Sequence, residues 1–379
     1  MSAYFSALSD ALKTAGIFQP CLVLDIGRLD RNIALVKERL DPALAVRLVD
    51  KSLACLPLLA HIGKALGTNH VMTFHPPISG AVVKAFPDAD LLYGKPMPVD
   101  AARAALSKGA ADWSRVCWLI DTQERLAEYG ALADELDIEL RIAFEIDVGL
   151  HRGGFASPEA LSLALSAMPA RLRCQGVMAY EAHAPHIPGL FGGPVKALAK
   201  ASAQATAFVA CLGADQRRIL NIGGSKTALL HHGGVANEVS MGSAFVLPSD
   251  FDTPGLEGFL PAAFIATPML KVVEPMLPGP PAVTRLLQAL GRFPRKGCYL
   301  YGGKWMAEPV FPEGMKTNAL LGLSSNQQFM GLPADATARP GDHAFLRPTQ
   351  SEAVLQQFGS IAVFSGGRIA DRWPALPMG

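Results

Sequence analysis

The sequence lacks an excess of charge of either sign. Its 34 Lys and Arg residues are balanced by 33 Asp and Glu residues, which gives a formal net charge of +1. Without a strongly positive surface, a protein has no long-range attraction for the phosphates of nucleic acids or for anionic membranes. We therefore expect neither nucleic acid nor a membrane among its partners.

Long apolar runs and paired cysteines are missing as well. No stretch reaches the roughly 18 apolar residues of a membrane-spanning helix, and the first residues, MSAYFSALSDALKTAG, are too polar for a signal peptide. The six cysteines stand singly, without a Cys-x-x-Cys pair that would indicate zinc binding or thiol exchange. We expect a cytoplasmic protein whose cysteines are small buried apolar residues.

What the sequence does contain is an alternation of short β-type runs with Ala- and Leu-rich helical segments, from about residue 20 to residue 250. This alternation is typical of βα units around a parallel sheet. Eight units in this length predict a (β/α)8 barrel. The predicted strands are VRLVDKS, HVMTFH, DLLYGKP, RVCWLIDT, LRIAFEIDVG, CQGVMAYEAH, RRILNIGGS and NEVSMGSAF.

A second domain follows from length and from a change of texture. A chain of 379 residues exceeds the size at which a single core keeps growing. After about residue 255, Pro-rich linkers such as PMLPGPPAV separate short β-type stretches, which predicts an all-β domain. We assign residues 20–252 to the barrel and residues 1–19 and 253–379 to the β-rich domain. The run CLVLD precedes the eight strands and could instead belong to the second domain.

Polar residues and glycines end the predicted strands. In (β/α)8 barrels the active site lies at this rim, because the strand ends and the following loops converge there. The residues at these ends are Lys51, His75, Lys95, Asp121, Asp147, Tyr180, Gly223 and Gly224.

Three of these segments suggest specific chemistry. Lys51 follows the first strand, where its amine could form a Schiff base, although a lysine at a strand end is often only a surface charge. Arg152 lies on a Gly-bounded turn in FEIDVGLHRGGF and could reach over the barrel mouth or pair with Asp147. The segment LNIGGSKTALL could bind phosphate through backbone N–H groups and through the hydroxyls of Ser225 and Thr227.

Five motifs in register resemble one enzyme family. They are PCLVLD, Lys51 after the first strand, EIDVGxxRxG, GVMAYEAH and NIGGSKT, and together they span most of the chain. This combination is similar to the D-threonine aldolase and D-serine dehydratase family, which are pyridoxal-phosphate enzymes of the alanine-racemase-like, fold type III class.

The resemblance implies a role for each matched position. Lys51 corresponds to the lysine that carries pyridoxal phosphate as a Schiff base, Arg152 to the partner of the pyridine nitrogen, and Tyr180 to an aromatic residue beside the cofactor. An arginine in that role keeps its proton and leaves the pyridine ring a weaker electron sink. The phosphate loop would comprise Gly223, Gly224, Ser225 and Thr227, with a second contribution from Gly242 and Ser243. Family members are homodimers whose active site receives residues from the partner's C-terminal domain.

The sequence departs from the family where a metal is usually bound. The lyases carry His-x-Asp or His-x-Cys in the β domain, whereas RPTQSEAVLQQFG has Gln350 and Glu352 at that place. Such oxygen ligands suit Mg or Mn better than zinc. Either a weakly held cation of this kind remains, or Glu352 acts directly as acid or base with Gln350 as a hydrogen-bond donor, or the two residues only pair with each other.

His183 and His186 follow Tyr180 and raise a similar question. A pair of histidines could bind a metal, but no third ligand stands near them in the sequence. His183 could instead contact the substrate, or both could be packing residues of a loop. We include His183 among the candidate catalytic residues.

The leading hypothesis is a lyase, an aldolase or a dehydratase, that acts through an external aldimine on a D-configured or otherwise unusual 3-hydroxy amino acid. A racemase, epimerase or transferase on the same scaffold is the alternative, for which Tyr299 or Tyr301 could supply a second base. A protein that binds pyridoxal phosphate without catalysing a reaction is a third possibility. Such proteins are usually a single barrel, and this chain has a long second domain.

Overall fold

The computed structural model describes residues 2–107, 112–352 and 354–376. These residues form two compact units. One unit contains residues 32–245, 251–259 and 376, and the other contains residues up to 31, 246–250 and 260–375. The structural division therefore interleaves along the chain, where the sequence analysis placed single boundaries near residues 20 and 252.

The first unit is a closed barrel of eight parallel strands in sequential order. Each of the eight predicted strands is present, and the predicted (β/α)8 fold class is confirmed. The strands are β2 (Ala45–Val49), β3 (His70–Thr73), β4 (Asp90–Tyr93), β5 (Val116–Ile120), β6 (Leu140–Ile146), β7 (Leu172–Ala179), β8 (Ile219–Ile222) and β9 (Glu238–Met241).

Helices alternate with these strands, and their ends follow the local sequence. Thr122 and Ser157 cap two of them by accepting the N–H of the third helical residue, and Gly67 ends another in the left-handed conformation. The helices of this part of the chain are α2 (Ile26–Arg39), α3 (Leu56–Leu66), α4 (Pro76–Ala85), α5 (Val99–Leu106), α6 (Gln123–Glu135), α7 (Pro158–Ser166), α8 (Gly193–Val209) and α9 (Ser243–Val246).

A buried ionic network joins β2 to the last strand of the barrel. Arg47 is 1% exposed and donates to both carboxylate oxygens of Glu238, at 2.6 and 2.8 Å, and also to Asp90. Burial opposes ionisation of Glu238, but the charge of Arg47 lowers the pKa of this carboxyl to about 2. Asn221 donates to the same carboxylate. Arg47 thus serves barrel closure, because a buried charge is tolerated only where it is fully paired.

The second unit is a sheet of nine strands with the order β13-β14-β11-β10-β1-β16-β17, to which β15 and β12 are attached through β10. The run CLVLD is β1 and lies in this sheet, antiparallel to β10 and parallel to β16. The strands are β1 (Cys21–Asp25), β10 (Ala263–Val273), β11 (Lys296–Leu300), β12 (Ala307–Phe311), β13 (Lys316–Thr317), β14 (Phe329–Leu332), β15 (His343–Pro348), β16 (Ser360–Ser365) and β17 (Arg368–Pro374).

This second unit also contains two described helices beside its sheet. The first, α1 (Ser2–Thr14), buries Phe5, Leu8 and Leu12 in one core with Phe264 and Phe345 of the sheet. The second, α10 (Pro281–Ala289), begins inside the Pro-rich segment that suggested a linker. Proline is favourable in the first helical turn, where its missing N–H has no partner to lose.

Two further sequence expectations concern membranes and cysteines. Among the described helices, none combines the length and the apolar character needed to cross a bilayer. The predicted cytoplasmic location stays a prediction. All six cysteines are free thiols, four of them buried, and burial raises the pKa of Cys55 to about 11. Such thiols are poor nucleophiles.

Candidate active site

Lys51 lies at the carboxyl-terminal mouth of the barrel. β2 ends at Val49, and the chain turns through a short 3-10 helix from Asp50 to Leu53. Lys51 therefore stands in the turn just after the strand and is not its last residue. Its amine lies 4.6 Å from the centre of the Phe74 ring.

A cleft of about 310 Å³ opens at this mouth, within the size range of small-molecule sites. Three predicted rim residues, Lys95, Asp121 and Arg152, line it together with Lys51. Glu145 also lines the cleft, although the sequence analysis gave it no role. The cleft thus combines three basic and two acidic side chains.

The turn that carries Arg152 is held by Asp147. One oxygen of this carboxylate accepts the N–H groups of Gly149 and His151, and the other lies 2.7 Å from His151 Nδ1. His151 has the positive φ of 54°, an unusual conformation that these contacts stabilise. Although burial opposes ionisation, the hydrogen bonds from His151 and Gly149 lower the pKa of Asp147.

Arg152 points toward Glu145 and Tyr180. Its Nη2 lies 3.3 Å from Glu145 Oε1, and its guanidinium lies 5.4 Å from the centre of the Tyr180 ring. Burial raises the pKa of the Glu145 carboxyl, and the charge of Arg152 partly offsets this effect. The alternative considered from the sequence, a pair between Arg152 and Asp147, is not the pairing found, because Asp147 binds His151.

The loop after β8 passes directly under the Tyr180 ring. Gly223 has a φ of +94°, a conformation that residues with a side chain rarely adopt. A Cβ atom on Gly224 would lie 2.6 Å from Tyr180 Cε2, well inside van der Waals contact. Both glycines of the predicted phosphate loop are therefore required by local geometry, one by its backbone and one by its neighbour.

Hydroxyl groups tie this loop to the turn after β9. Ser225 Oγ accepts the N–H groups of Gly242 and Ala244, at 3.1 and 3.3 Å. Thr227 Oγ1 accepts the N–H of Gly224 and closes the loop on itself. Ser243, which stands between Gly242 and Ala244 in the sequence, is buried. The two predicted phosphate-binding segments are thus adjacent, and the Ser225 hydroxyl of one accepts two N–H groups of the other.

Gly242 also touches the turn that bears Lys51. A Cβ atom at this position would lie 2.8 Å from the Cβ of Ser52 and 2.9 Å from that of Val49. The lysine turn and the two glycine segments therefore form one continuous surface at the seam where β2 pairs with β9.

A buried acid–base pair beneath this surface was missed by the sequence analysis. Glu181 is fully buried, and its Oε1 lies 2.8 Å from His231 Nε2. A Cβ on Gly223 would lie 3.3 Å from Glu181 Oε1 and 3.2 Å from the His231 ring. The sequence gave a weak signal, because Glu181 directly follows Tyr180 and His231 stands near the phosphate loop.

Asp50, next to Lys51, was also missed by the sequence analysis. It is fully buried, and neither carboxylate oxygen meets a donor with hydrogen-bond geometry among the described residues. Burial raises the pKa of Asp50 to about 7, and the Thr73 hydroxyl and the Lys51 N–H only partly offset this effect. Asp50 faces a polar cluster in which Ser79 contacts both Thr73 and the Tyr93 hydroxyl.

His183 lies beside the Arg152 turn. Its Nε2 would be 3.2 Å from a Cβ on Gly149, and its Nδ1 is buried without a partner among the described residues. Its role in catalysis stays a prediction. In the parts of the chain that the structure describes, no group of three or more His, Cys, Asp or Glu side chains is arranged to hold a metal ion.

Gln350 and Glu352 lie in the second unit, after β15. The Gln350 amide donates to Asp250 at 3.0 Å, and Glu352 accepts the hydroxyl of Ser351 at 3.3 Å. The Gln350 amide is thus engaged with a carboxylate other than Glu352. These donors do not form a complete metal site, so no reaction step is assigned to a metal. The catalytic and metal roles of both residues stay predictions.

The residues of the barrel fit pyridoxal phosphate. A phosphate group requires a site without side chains and with hydrogen-bond donors beside it. The Gly223–Gly224 loop and the Gly242 turn leave that room, and the hydroxyls of Ser225 and Thr227, which accept N–H groups of this surface, lie beside it. A pyridine ring requires a flat neighbour and a donor for its nitrogen, and Tyr180 and Arg152 lie together. An aldehyde requires an amine, and Lys51 lies in the same cleft as Arg152.

Similar architectures occur in several solved structures of low sequence identity. D-threonine aldolase from Filomicrobium marinum is 17% identical with a TM-score of 0.74, and the match covers 94% of each chain. D-threo-3-hydroxyaspartate dehydratase from Delftia sp. HT23 is 16% identical with a TM-score of 0.69, covering 94% of this chain and 97% of the other. Alanine racemase from Bacillus anthracis is 14% identical with a TM-score of 0.70, covering 94% and 98%.

At these identities the structural matches establish the fold alone. No curated protein sequence is similar enough to be counted as a relative. The family described as "Alanine racemase, N-terminal domain" matches residues 24–250, which is more than half of the chain and includes every barrel strand. The chain therefore belongs to the alanine racemase N-terminal domain family.

Proposed function

We propose that this protein is a pyridoxal-phosphate-dependent lyase that acts on a D-configured or otherwise unusual 3-hydroxy amino acid. The observation that carries the proposal is the combination of Lys51 with Arg152 in one cleft, beside a glycine loop packed against Tyr180. The aldolase, the dehydratase and the alanine racemase share the architecture. The lyase class is therefore supported by the five sequence motifs that resemble the D-threonine aldolase and D-serine dehydratase family.

Each of these residues has a task in holding the cofactor. Lys51 would bind its aldehyde, Arg152 would donate to the pyridine nitrogen, and Tyr180 would contact the ring. The loop with Gly223, Gly224, Ser225 and Thr227, together with Gly242 and Ser243, would bind the phosphate. When bound, pyridoxal phosphate delocalises the electron pair left at the substrate's Cα.

The chain's own residues then direct protons. In a dehydration, the Lys51 amine removes the Cα proton after the substrate amine has taken its place, and an acid assists departure of the 3-hydroxyl. In an aldol cleavage, a base removes the hydroxyl proton and the Cα–Cβ bond breaks. His183 and Glu352, with Gln350 as a hydrogen-bond donor, are the proposed groups for the hydroxyl.

A racemase, an epimerase or a transferase is the second candidate function. Racemisation requires an acid or base on each side of Cα. In the second unit, Tyr301 is 43% exposed, whereas Tyr299 packs against Phe329. Incorporation of deuterium at Cα without cleavage of the Cα–Cβ or Cβ–O bond would favour this alternative.

We also propose that the protein is a homodimer. The barrel unit exposes Leu190, Phe191 and Val195, each by at least 74%, in the segment that follows β7. Clustered apolar side chains of this kind are typical of protein–protein interfaces. The resemblance to homodimeric enzymes points to a second copy of this chain as the partner.

The decisive experiment compares wild type with Lys51→Ala after incubation with pyridoxal phosphate. We expect the visible absorption band of a lysine-bound cofactor in the wild type and in the control Lys64→Ala, an exposed lysine of α3. The band should be absent in Lys51→Ala. A wild type that takes up no cofactor would overturn the proposal.

The class of reaction is then tested with D-threonine, D-serine and D-3-hydroxyaspartate. An aldehyde product indicates an aldolase, whereas ammonia and a keto acid indicate a dehydratase. If all three products are missing for every 3-hydroxy amino acid tested, the lyase class is wrong.

A further inference from the structure

Lys95 stands out in the cleft because the proposed chemistry gives it no task. The two acidic side chains of the cleft already have arginine partners: Asp121 pairs with Arg125 at 2.6 Å, and Glu145 pairs with Arg152 at 3.3 Å. The ion pairs of the described residues do not include Lys95. Its ammonium group therefore contributes uncompensated positive charge to the cleft.

The strand register brings Lys95 next to His75. Thr73 at the end of β3 is the parallel partner of Tyr93 at the end of β4, so the residues two positions further, His75 and Lys95, leave the sheet side by side. Gly94, between Tyr93 and Lys95, donates its N–H to Thr73. A Cβ on Gly94 would lie 2.4 Å from Phe74 Cζ, so a glycine is needed for the two strand ends to approach.

The electrostatics of this corner favour an anion. Burial lowers the pKa of His75, and the positive charges of Lys95 and Lys51 lower it further. These effects favour the neutral imidazole, which can donate an N–H. A neutral donor beside an unpaired ammonium is a suitable environment for a carboxylate.

The order of the strands separates this corner from the proposed phosphate site. In the closed barrel, β4 and β8 are each two strands away from β2, in opposite directions. Lys51 follows β2 and therefore stands between the glycine loop after β8 and Lys95 after β4. An anion bound at Lys95 is on the other side of the reactive amine from the cofactor's phosphate.

We propose that Lys95 binds the carboxylate of the amino-acid substrate, with His75 as a neighbouring donor. This inference rests on the proposed function, because it presupposes an amino acid whose amine replaces that of Lys51. It narrows the substrate class to compounds with a free carboxylate, and it excludes amino alcohols and amino-acid amides as good substrates.

The test is a double-perturbation cycle, in which Lys95 is changed in the protein and the carboxylate is changed to an amide in the ligand. Wild type and Lys95→Met, both loaded with pyridoxal phosphate, are titrated with D-serine and with D-serine amide, and the change of cofactor absorption gives apparent dissociation constants. We expect the wild type to bind the acid at least ten times more tightly than the amide. Lys95→Met should lose that preference. Its apparent dissociation constant should rise about 10- to 100-fold for the acid and less than about twofold for the amide.

Two further variants separate a specific contact from a general disturbance. Lys95→Arg keeps the charge and should restore most of the preference for the acid. Lys84→Met removes an exposed lysine of α4 and should behave as the wild type. The titrations of all four proteins are repeated with D-threonine and D-threonine amide.

Failure of this inference is distinguishable from failure of the proposed function. A wild type that takes up the cofactor through Lys51 but responds equally to acid and amide overturns the carboxylate site alone, whereas a loaded wild type that responds to neither overturns the proposed amino-acid substrate as well. An equal loss for acid and amide in Lys95→Met also overturns it, because the lysine would then support the cofactor. A wild type without any cofactor absorption overturns both.

Discussion

Asp50 is a carboxyl group in an environment that favours its neutral form. It is fully buried beside the turn of the proposed cofactor lysine, and its pKa is raised to about 7. The unfolded chain releases this proton near pH 4, so folding requires proton uptake between pH 4 and 7. The protein therefore becomes less stable as the pH rises through this range, and the full loss is present above pH 7.

We expect Asp50→Asn to remove this pH dependence. Relative to the wild type, the variant should gain stability as the pH rises from 4 to 7, reaching about 4 kcal/mol on the basis of a three-unit shift. Urea denaturation of cofactor-free protein at pH 5 and pH 8 measures the part of this difference that develops between the two pH values, about 3 kcal/mol. Asp88→Asn, at an exposed position, is the control, and parallel stability curves for wild type and Asp50→Asn would contradict the expectation.

Single residues at strand ends could be predicted from the sequence, whereas their partners could not. The period of the βα units was sufficient to bring Lys51, Lys95, Asp121 and Arg152 to one cleft. The partner of Arg152 depends on the turn at His151, whose positive φ directs Asp147 toward the backbone. No pattern in the sequence marks such a turn when the residue is not glycine.

At the scale of elements, the loop after β8 is the most constrained part of the site. Gly224 lies against the Tyr180 ring, and Ser225 joins the loop to the turn after β9. We expect Gly224→Ala to displace either the ring or the loop and to weaken pyridoxal-phosphate binding at least about tenfold, because overpacking typically costs 1–3 kcal/mol.

The control for this loop is Gly80→Ala in α4, where an added Cβ has no atom within 4 Å. Equilibrium dialysis gives the dissociation constant of the cofactor, and circular dichroism verifies that both variants are folded. Unchanged affinity in Gly224→Ala would mean that the loop does not hold the phosphate.

Whole elements could be predicted where their periodicity is strong. All eight barrel strands are found, since each is a short apolar run that ends in a polar residue. The helix α10 escaped prediction because prolines were taken as breakers, although Pro281 stands at a helix start where it is tolerated. The strand β1 looks like a barrel strand locally, and only its pairing with β10 and β16 assigns it to the other sheet.

At the scale of the whole molecule, the exposed segment after β7 should report on assembly. We expect Phe191→Glu to shift the protein from dimer toward monomer, because a charge would be buried in an apolar contact. Light scattering after size-exclusion chromatography measures the mass, and Leu163→Glu, an exposed apolar residue of α7, is the control. A variant that remains dimeric would place the interface elsewhere.

The presence of two units could be predicted from chain length. Their boundaries could not be predicted from composition, because the two units interleave along the chain. The predicted β-rich domain begins near residue 253, but the second unit also includes residues 246–250, and the barrel unit includes 251–259. The hydrophobic periodicity of such short segments does not show to which unit they belong, because their assignment depends on contacts between residues far apart in sequence.

The first barrel strand, β2, pairs with β9, which is the last barrel strand to be synthesised. Gly242 touches the turn of Lys51, and Ser225 accepts its N–H. A growing chain that has left the ribosome up to residue 230 would contain Lys51 and the loop after β8 but not the Gly242 turn, because β9, which closes the barrel, would still be inside the ribosome. Binding of the proposed cofactor would therefore be a late step in biogenesis, after the barrel has closed.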